Sequence, residues 1–90
     1  MDHTIKIPDN GKPHKIKYHD KVYFKFTTDD ETFSFKPPNA FTPPAPSGPF
    51  PKGKKIGPFS PTMKNTTVTF CYDNSDKSPI VGMHSILIGD

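Results

Sequence analysis

Three residues toward the end of this chain carry its softest ligand chemistry: Cys71, Met83 and His84. Thiolate and thioether groups suit Cu(I), and an imidazole would complete a set of that character. The same three also fit a plain structural role: a small thiol, a gap-filling Met and a His at the entrance to a strand. Cys71 is the only cysteine, so the chain forms no internal disulfide. Small extracellular domains often carry two or more bridges. Asp29, Asp30 and Glu31 bring three carboxylates together. Three acids in succession lack the spacing of a calcium loop and read as a solvated turn. His14 and His19 lie at opposite parity on one alternating run, so they diverge instead of sharing a metal. His84 and Ser85 are strand neighbours and point to opposite faces. No Ser, His, Asp or Cys combination reads as a nucleophile beside its base. The expectation is a chain with no enzymatic activity and no cofactor.

Proline is the most distinctive component, and nine of the twelve lie between Pro37 and Pro61. Pro43-Pro44-Ala45-Pro46 and Pro58-Phe59-Ser60-Pro61 have the PxxP spacing that can present a polyproline II surface. Pro43, Pro44 and Pro46, with Phe50 and the basic cluster Lys52, Lys54 and Lys55, form a candidate partner-binding surface. A second reading makes the stretch a rigid cover, with Phe41, Phe50, Ile56 and Phe59 completing the core. Proline fixes φ and removes a donor, so the stretch is not expected to supply a central strand. Structureless connections of this length are usually functional or disordered.

The net charge is +3, and every cationic side chain is Lys. Lys25, Lys36, Lys52, Lys54 and Lys55 around Tyr23 could form a single-strand nucleic-acid platform on a small β-barrel. Arg, the preferred residue for bidentate phosphate and base contacts, is absent, which argues against nucleic acid as a partner. No apolar run approaches a membrane span, and no secretory h-region is visible. The expected compartment is therefore the cytoplasm, where the Asn65-Thr66-Thr67 sequon would go unused.

The elements that must hold these groups are strands. Ninety residues make one domain, and a chain of that size buries roughly 60–65% of its unfolded surface. Val22, Phe24 and Phe26 alternate with polar residues, and Phe33 and Phe35 repeat the pattern after an acidic turn, which predicts a β-hairpin over Val22–Lys36. Alternation also predicts strands over His3–Ile7, His14–His19, Thr67–Asp73 and Met83–Ile88. Asn10-Gly11 supplies a turn after the first of them. Six short strands with turn signals between them suit a two-sheet sandwich or a small barrel.

The order of these elements resembles the cupredoxin fold. Thr67-Val68-Thr69-Phe70-Cys71-Tyr72, then Gly82-Met83 and Ile86-Leu87-Ile88, look like the C-terminal part of a small blue-copper protein. In that family a Cys ends the penultimate strand, with a His and a Met following and a further His after the earlier Val-x-Phe strand. This chain has no His between Cys71 and Met83 and none just after Phe26. Cys71 also alternates away from Val68, Phe70 and Tyr72. The resemblance therefore implies a cupredoxin-like sandwich without the copper site. The resulting expectation is all-β: a small Greek-key β-sandwich, cupredoxin-like or immunoglobulin-like, with a long Pro-rich loop. Its role would be binding or structural, through a protein partner on that loop or a homodimer formed by strand-edge pairing. The alternative is a copper-binding relative using Cys71, Met83 and His84.

Overall fold

The computed structural model describes residues 1–9, 11–72 and 84–90. They are all-β, with eight strands and no helix. The strands are β1 (Asp2–Ile7), β2 (His14–Lys17), β3 (Lys21–Phe26), β4 (Phe33–Lys36), β5 (Phe41–Thr42), β6 (Lys55–Pro61), β7 (Thr66–Tyr72) and β8 (Ser85–Gly89). They form two four-stranded sheets, ordered β1-β3-β6-β5 and β2-β8-β7-β4. β1 runs parallel to β3 and β2 parallel to β8, while the other pairs are antiparallel.

Alternation explains what each sheet buries. Ile5 and Ile7 of β1, Val22, Phe24 and Phe26 of β3, and Ile56 and Phe59 of β6 turn inward from the first sheet. Ile16, Phe33, Phe35, Val68, Phe70, Tyr72, Ile86 and Ile88 turn inward from the second. All eight phenylalanines are buried. Burying one such side chain contributes about 1.5–3 kcal/mol, so this set dominates the folding free energy. Phe24 sits at the centre, with ring centroids 4.7 Å from Phe33, 5.3 Å from Phe70 and 5.8 Å from Phe59. Its contacts with Phe59 and Phe70 are edge-on, the arrangement that the ring quadrupole favours.

Four features depart from the sequence reading. First, the hairpin over Val22–Lys36 does not form: β3 and β4 lie in opposite sheets. Both runs carry phenylalanines on one face, and those faces meet across the core through Phe24–Phe33 instead of side by side. Second, there are eight strands among the described residues, not six, because the Pro-rich stretch contributes β5 and β6.

Third, β6 is an interior strand despite Pro58 and Pro61. Its pairing with β3 passes from Val22↔Phe59 to Phe24↔Ile56, leaving Gly57 and Pro58 opposite Tyr23. That is a β-bulge, which needs no ladder donor from Pro58. Gly57 fits there at φ 121°, where a Cβ would come within 2.8 Å of the Val22 carbonyl oxygen. Pro61 lies at the end of the strand, paired with Phe41 of β5. Fourth, the acidic turn is only partly solvated: Asp30 is 2% exposed. It accepts from the Thr28 hydroxyl at 3.1 Å and forms a backbone bridge with Phe50. The last strand runs Ser85–Gly89, with Ile86 and Ile88 inward as alternation requires; Met83, where that strand was expected to begin, lies outside the described residues.

Candidate partner-binding surface

The chain between β5 and β6 is anchored at both ends. On one side Phe41 is buried, its ring 4.8 Å from that of Phe35. The Thr62 N–H donates to the Ala40 carbonyl at 2.9 Å, and the Thr62 hydroxyl to the Asn39 carbonyl at 2.6 Å. On the other side the Phe50 ring stacks on Phe26 at 4.6 Å, the two planes within 10°. The Phe50 N–H donates to the Asp30 carbonyl at 2.6 Å, and the Asp30 N–H returns a bond to the Phe50 carbonyl at 2.9 Å. The Lys52 N–H donates to the Asp29 carboxylate at 2.7 Å. The acidic turn is thus the clamp that seats the far end of the Pro-rich stretch.

Between these anchors Pro43, Pro44, Pro46, Ser47 and Pro49 are exposed. They wall a groove of about 400 Å³ floored by Phe50, Ile56 and Phe59, with Lys54 and Lys55 along its rim. A second hollow of about 410 Å³ lies on the other side of Pro44, lined by Pro38, Phe41 and Thr62. Pro44 is therefore a ridge between two hollows. The Lys55 ammonium sits 4.5 Å from the centre of the Tyr23 ring. Of the residues singled out in sequence, Pro43, Pro44, Pro46, Phe50, Lys54 and Lys55 converge on this groove. Phe50 is its floor, 1% exposed, and Lys52 serves through its backbone N–H instead of lining it.

The soft-ligand set is placed differently. Cys71 faces away from the core, opposite Ser34 in the ladder, and is a half-exposed free thiol. His84 packs on the other face, its ring 5.0 Å from Tyr72 and 5.7 Å from Phe70. Met83 lies outside the described residues. Among the described residues no group of three His, Cys, Asp or Glu side chains is arranged to hold a metal ion.

His84 belongs instead to a polar cluster that the sequence reading did not assemble. Its Nδ1 lies 3.1 Å from Asp9 Oδ2, and His14 Nε2 lies 2.8 Å from Asp9 Oδ1. The Gly11 N–H also donates to Asp9 Oδ2 at 3.2 Å, and the Asp9 N–H donates to the Tyr72 hydroxyl at 2.7 Å. Burial pushes the Asp9 carboxyl up, but hydrogen bonds from His14 and His84 and the His14 charge outweigh it and hold the group below its ordinary value. Burial, with the charges of Asp9 and Asp30, pushes the Tyr72 phenol up against the opposing hydrogen bond from Asp9. His84 has φ 71°, a conformation uncommon outside glycine, which turns it out of the strand direction just before β8. Asp9 followed two residues later by Gly11 was a readable turn signal. Its link to His84, 75 residues away, was not. His19, by contrast, is exposed and stands edge-on to Tyr18 at 5.1 Å. A second carboxylate, Asp20, accepts from the Lys17 N–H and contacts His3 Nε2, both at 2.9 Å, and these contacts lower its pKa.

No helix among the described residues is long and apolar enough to cross a membrane, a statement that does not bear on membrane β-barrels. Comparison with protein-family models, curated proteins and solved structures finds no match to this chain.

Proposed function

We propose that this chain is a non-enzymatic, metal-free binding module of cupredoxin-like type that offers its Pro43–Pro49 ridge to a protein partner in the cytoplasm. The observation that carries the reading is the exposed proline ridge held between two buried phenylalanines, Phe41 and Phe50. A recognition segment fixed before binding loses little conformational entropy when it docks, and that favours affinity. Proline ridges are taken up by aromatic-lined grooves, and Lys54 and Lys55 beside this one favour a groove with acidic margins. The parallel β1–β3 and β2–β8 pairs, joined by connections that pass between the sheets, support the cupredoxin-like element of the reading. Cys71 facing away from His84 supports its metal-free element, and the free thiol supports a reducing compartment.

The test is a calorimetric titration against recombinant SH3 and WW domains with acidic groove margins. A variant with Pro43, Pro44 and Pro46 all changed to Ala serves as the control. The reading expects binding to members of the panel, lost by at least about tenfold in the variant, since an exposed ridge supplies the contact and not the fold. Binding that is equal in both proteins, or absent across the panel, would reject it.

A further inference from the structure

Among the described residues β1 is the outer strand of its sheet and no strand pairs with its outer edge, which is self-complementary. On its inner side the Met1 carbonyl accepts from the Lys21 N–H at 3.1 Å and the Ile7 carbonyl from the Thr27 N–H at 2.7 Å. Backbone groups alternate sides along a strand, so odd-numbered residues of β1 bond toward β3. The N–H and C=O groups of Asp2, Thr4 and Lys6 therefore point out along the edge. The side chains of these same three residues are exposed on the outer face of the sheet.

That outer face is electrically unbalanced. The register places Lys6 opposite Lys25, and Lys25 opposite Lys55, so three lysines stand in one row on adjacent strands. Like charges directly opposite one another destabilise a sheet. Among the described residues no carboxylate lies within ion-pair distance of Lys6, Lys25 or Lys55. Lys6 is the end of the row that meets this edge, and among the described residues it has no negative neighbour there.

We propose that a second copy of this chain pairs antiparallel along β1, centred on Thr4, to form a two-fold dimer with one continuous eight-stranded sheet. In that register Asp2 faces Lys6 of the partner subunit, Thr4 faces Thr4 of the partner subunit, and Lys6 faces Asp2 of the partner subunit. All three are hydrogen-bonded pairs, because the residues facing across are those whose backbone groups point outward. Each lysine row then begins at a carboxylate contributed by the other copy. A shift centred on His3 leaves Lys6 with no carboxylate opposite it, and shifts toward the end of β1 fail on the same chemistry. Centring on Lys6 sets Lys6 against itself, and an intermediate shift sets Asp2 against Pro8, which has no N–H to donate. A one-residue slip turns the apolar residues of the added strand to solvent. The interface is isologous, so one substitution changes it at two places.

Sedimentation equilibrium on four proteins tests this: the native chain, Asp2→Lys, Lys6→Asp, and the double swap. The native chain is expected to show a reversible, concentration-dependent dimer. Each single swap creates two like-charge facings and weakens it by about tenfold or more. An equimolar mixture of the two single variants regains the dimer, because every facing pair is again of opposite sign, and the double swap regains it alone. Far-UV circular dichroism checks that each exposed-site variant is folded. A native chain that stays monomeric, or single swaps that dimerise like the native chain, would overturn the proposal. A monomer that instead binds a heparin oligosaccharide through the lysine row would overturn it too, and would assign the row to a polyanion.

Discussion

Asp9 ties together three parts of the chain that are distant in sequence: its carboxylate bonds His14 and His84, and its N–H bonds Tyr72. Replacing Asp9 with Asn keeps the shape and removes the charge, so the cost is that of weakened charge-assisted bonds at a nearly buried site, about 1–3 kcal/mol. The pH dependence follows from the lowered carboxyl. A carboxylate whose folded pKa lies below its ordinary 3.8 contributes stability that is fully present above that value. This contribution disappears as pH falls through the folded value, because the folded state must then take up the proton. Urea unfolding at a series of pH values should therefore give Asp9→Asn a shallower loss of stability below about pH 4 than the native chain. Asp20, also lowered, stays in both proteins and leaves a shared residual slope. Identical slopes would remove Asp9 from this role. The cluster was illegible in sequence because its parts meet only through the fold. His14 opens β2 and His84 immediately precedes β8, the strand beside it, and nothing in their local patterns states that adjacency.

Strand periodicity, by contrast, was legible, and its limits are visible in particular elements. Alternation correctly marked Phe24, Phe26, Phe33 and Phe35 as inward-facing. It could not say whether β3 and β4 share a sheet, because a run with one buried face is satisfied equally by a neighbour beside it or a sheet across from it. β6 was missed for a different reason. Two prolines mask a strand when pattern is read alone, and the bulge at Gly57-Pro58 becomes evident only beside Tyr23. The anchoring role of Phe50 predicts a sharp contrast between neighbouring substitutions. Phe50→Ala empties the stack on Phe26 and should cost about 3–5 kcal/mol in chemical denaturation. Pro46→Ala, exposed on the ridge, should stay within about 0.5 kcal/mol of the native chain. Similar costs for both would mean that the stretch is held by something other than its phenylalanines.

At the scale of the molecule, composition anticipated the class well: abundant Phe, Lys and Pro with no helical periodicity gave an all-β chain. The reading of the Pro-rich stretch as a cover whose Phe41, Phe50, Ile56 and Phe59 complete the core also holds, but that the stretch supplies two strands of the sandwich was not anticipated. Phe41, Phe50 and Phe59 join the same cluster as Phe24 and Phe70, and the ridge and its two hollows are the outer surface of that contribution. The clamp depends on close approach as well as on rings. Gly48 lies so near the Glu31 backbone that a Cβ there would fall on its carbonyl oxygen. The central claim is that this stretch is anchored in the core at both ends, so that the ridge is displayed rigidly. Amide hydrogen exchange of the native chain, resolved residue by residue, tests it most directly. The account predicts that the N–H groups of Asp30, Phe50 and Thr62 exchange as slowly as those of β7, since each opens only when the phenylalanine core opens. Exchange of Phe50 and Thr62 at the rate of an unprotected loop, with β7 still protected, would contradict it.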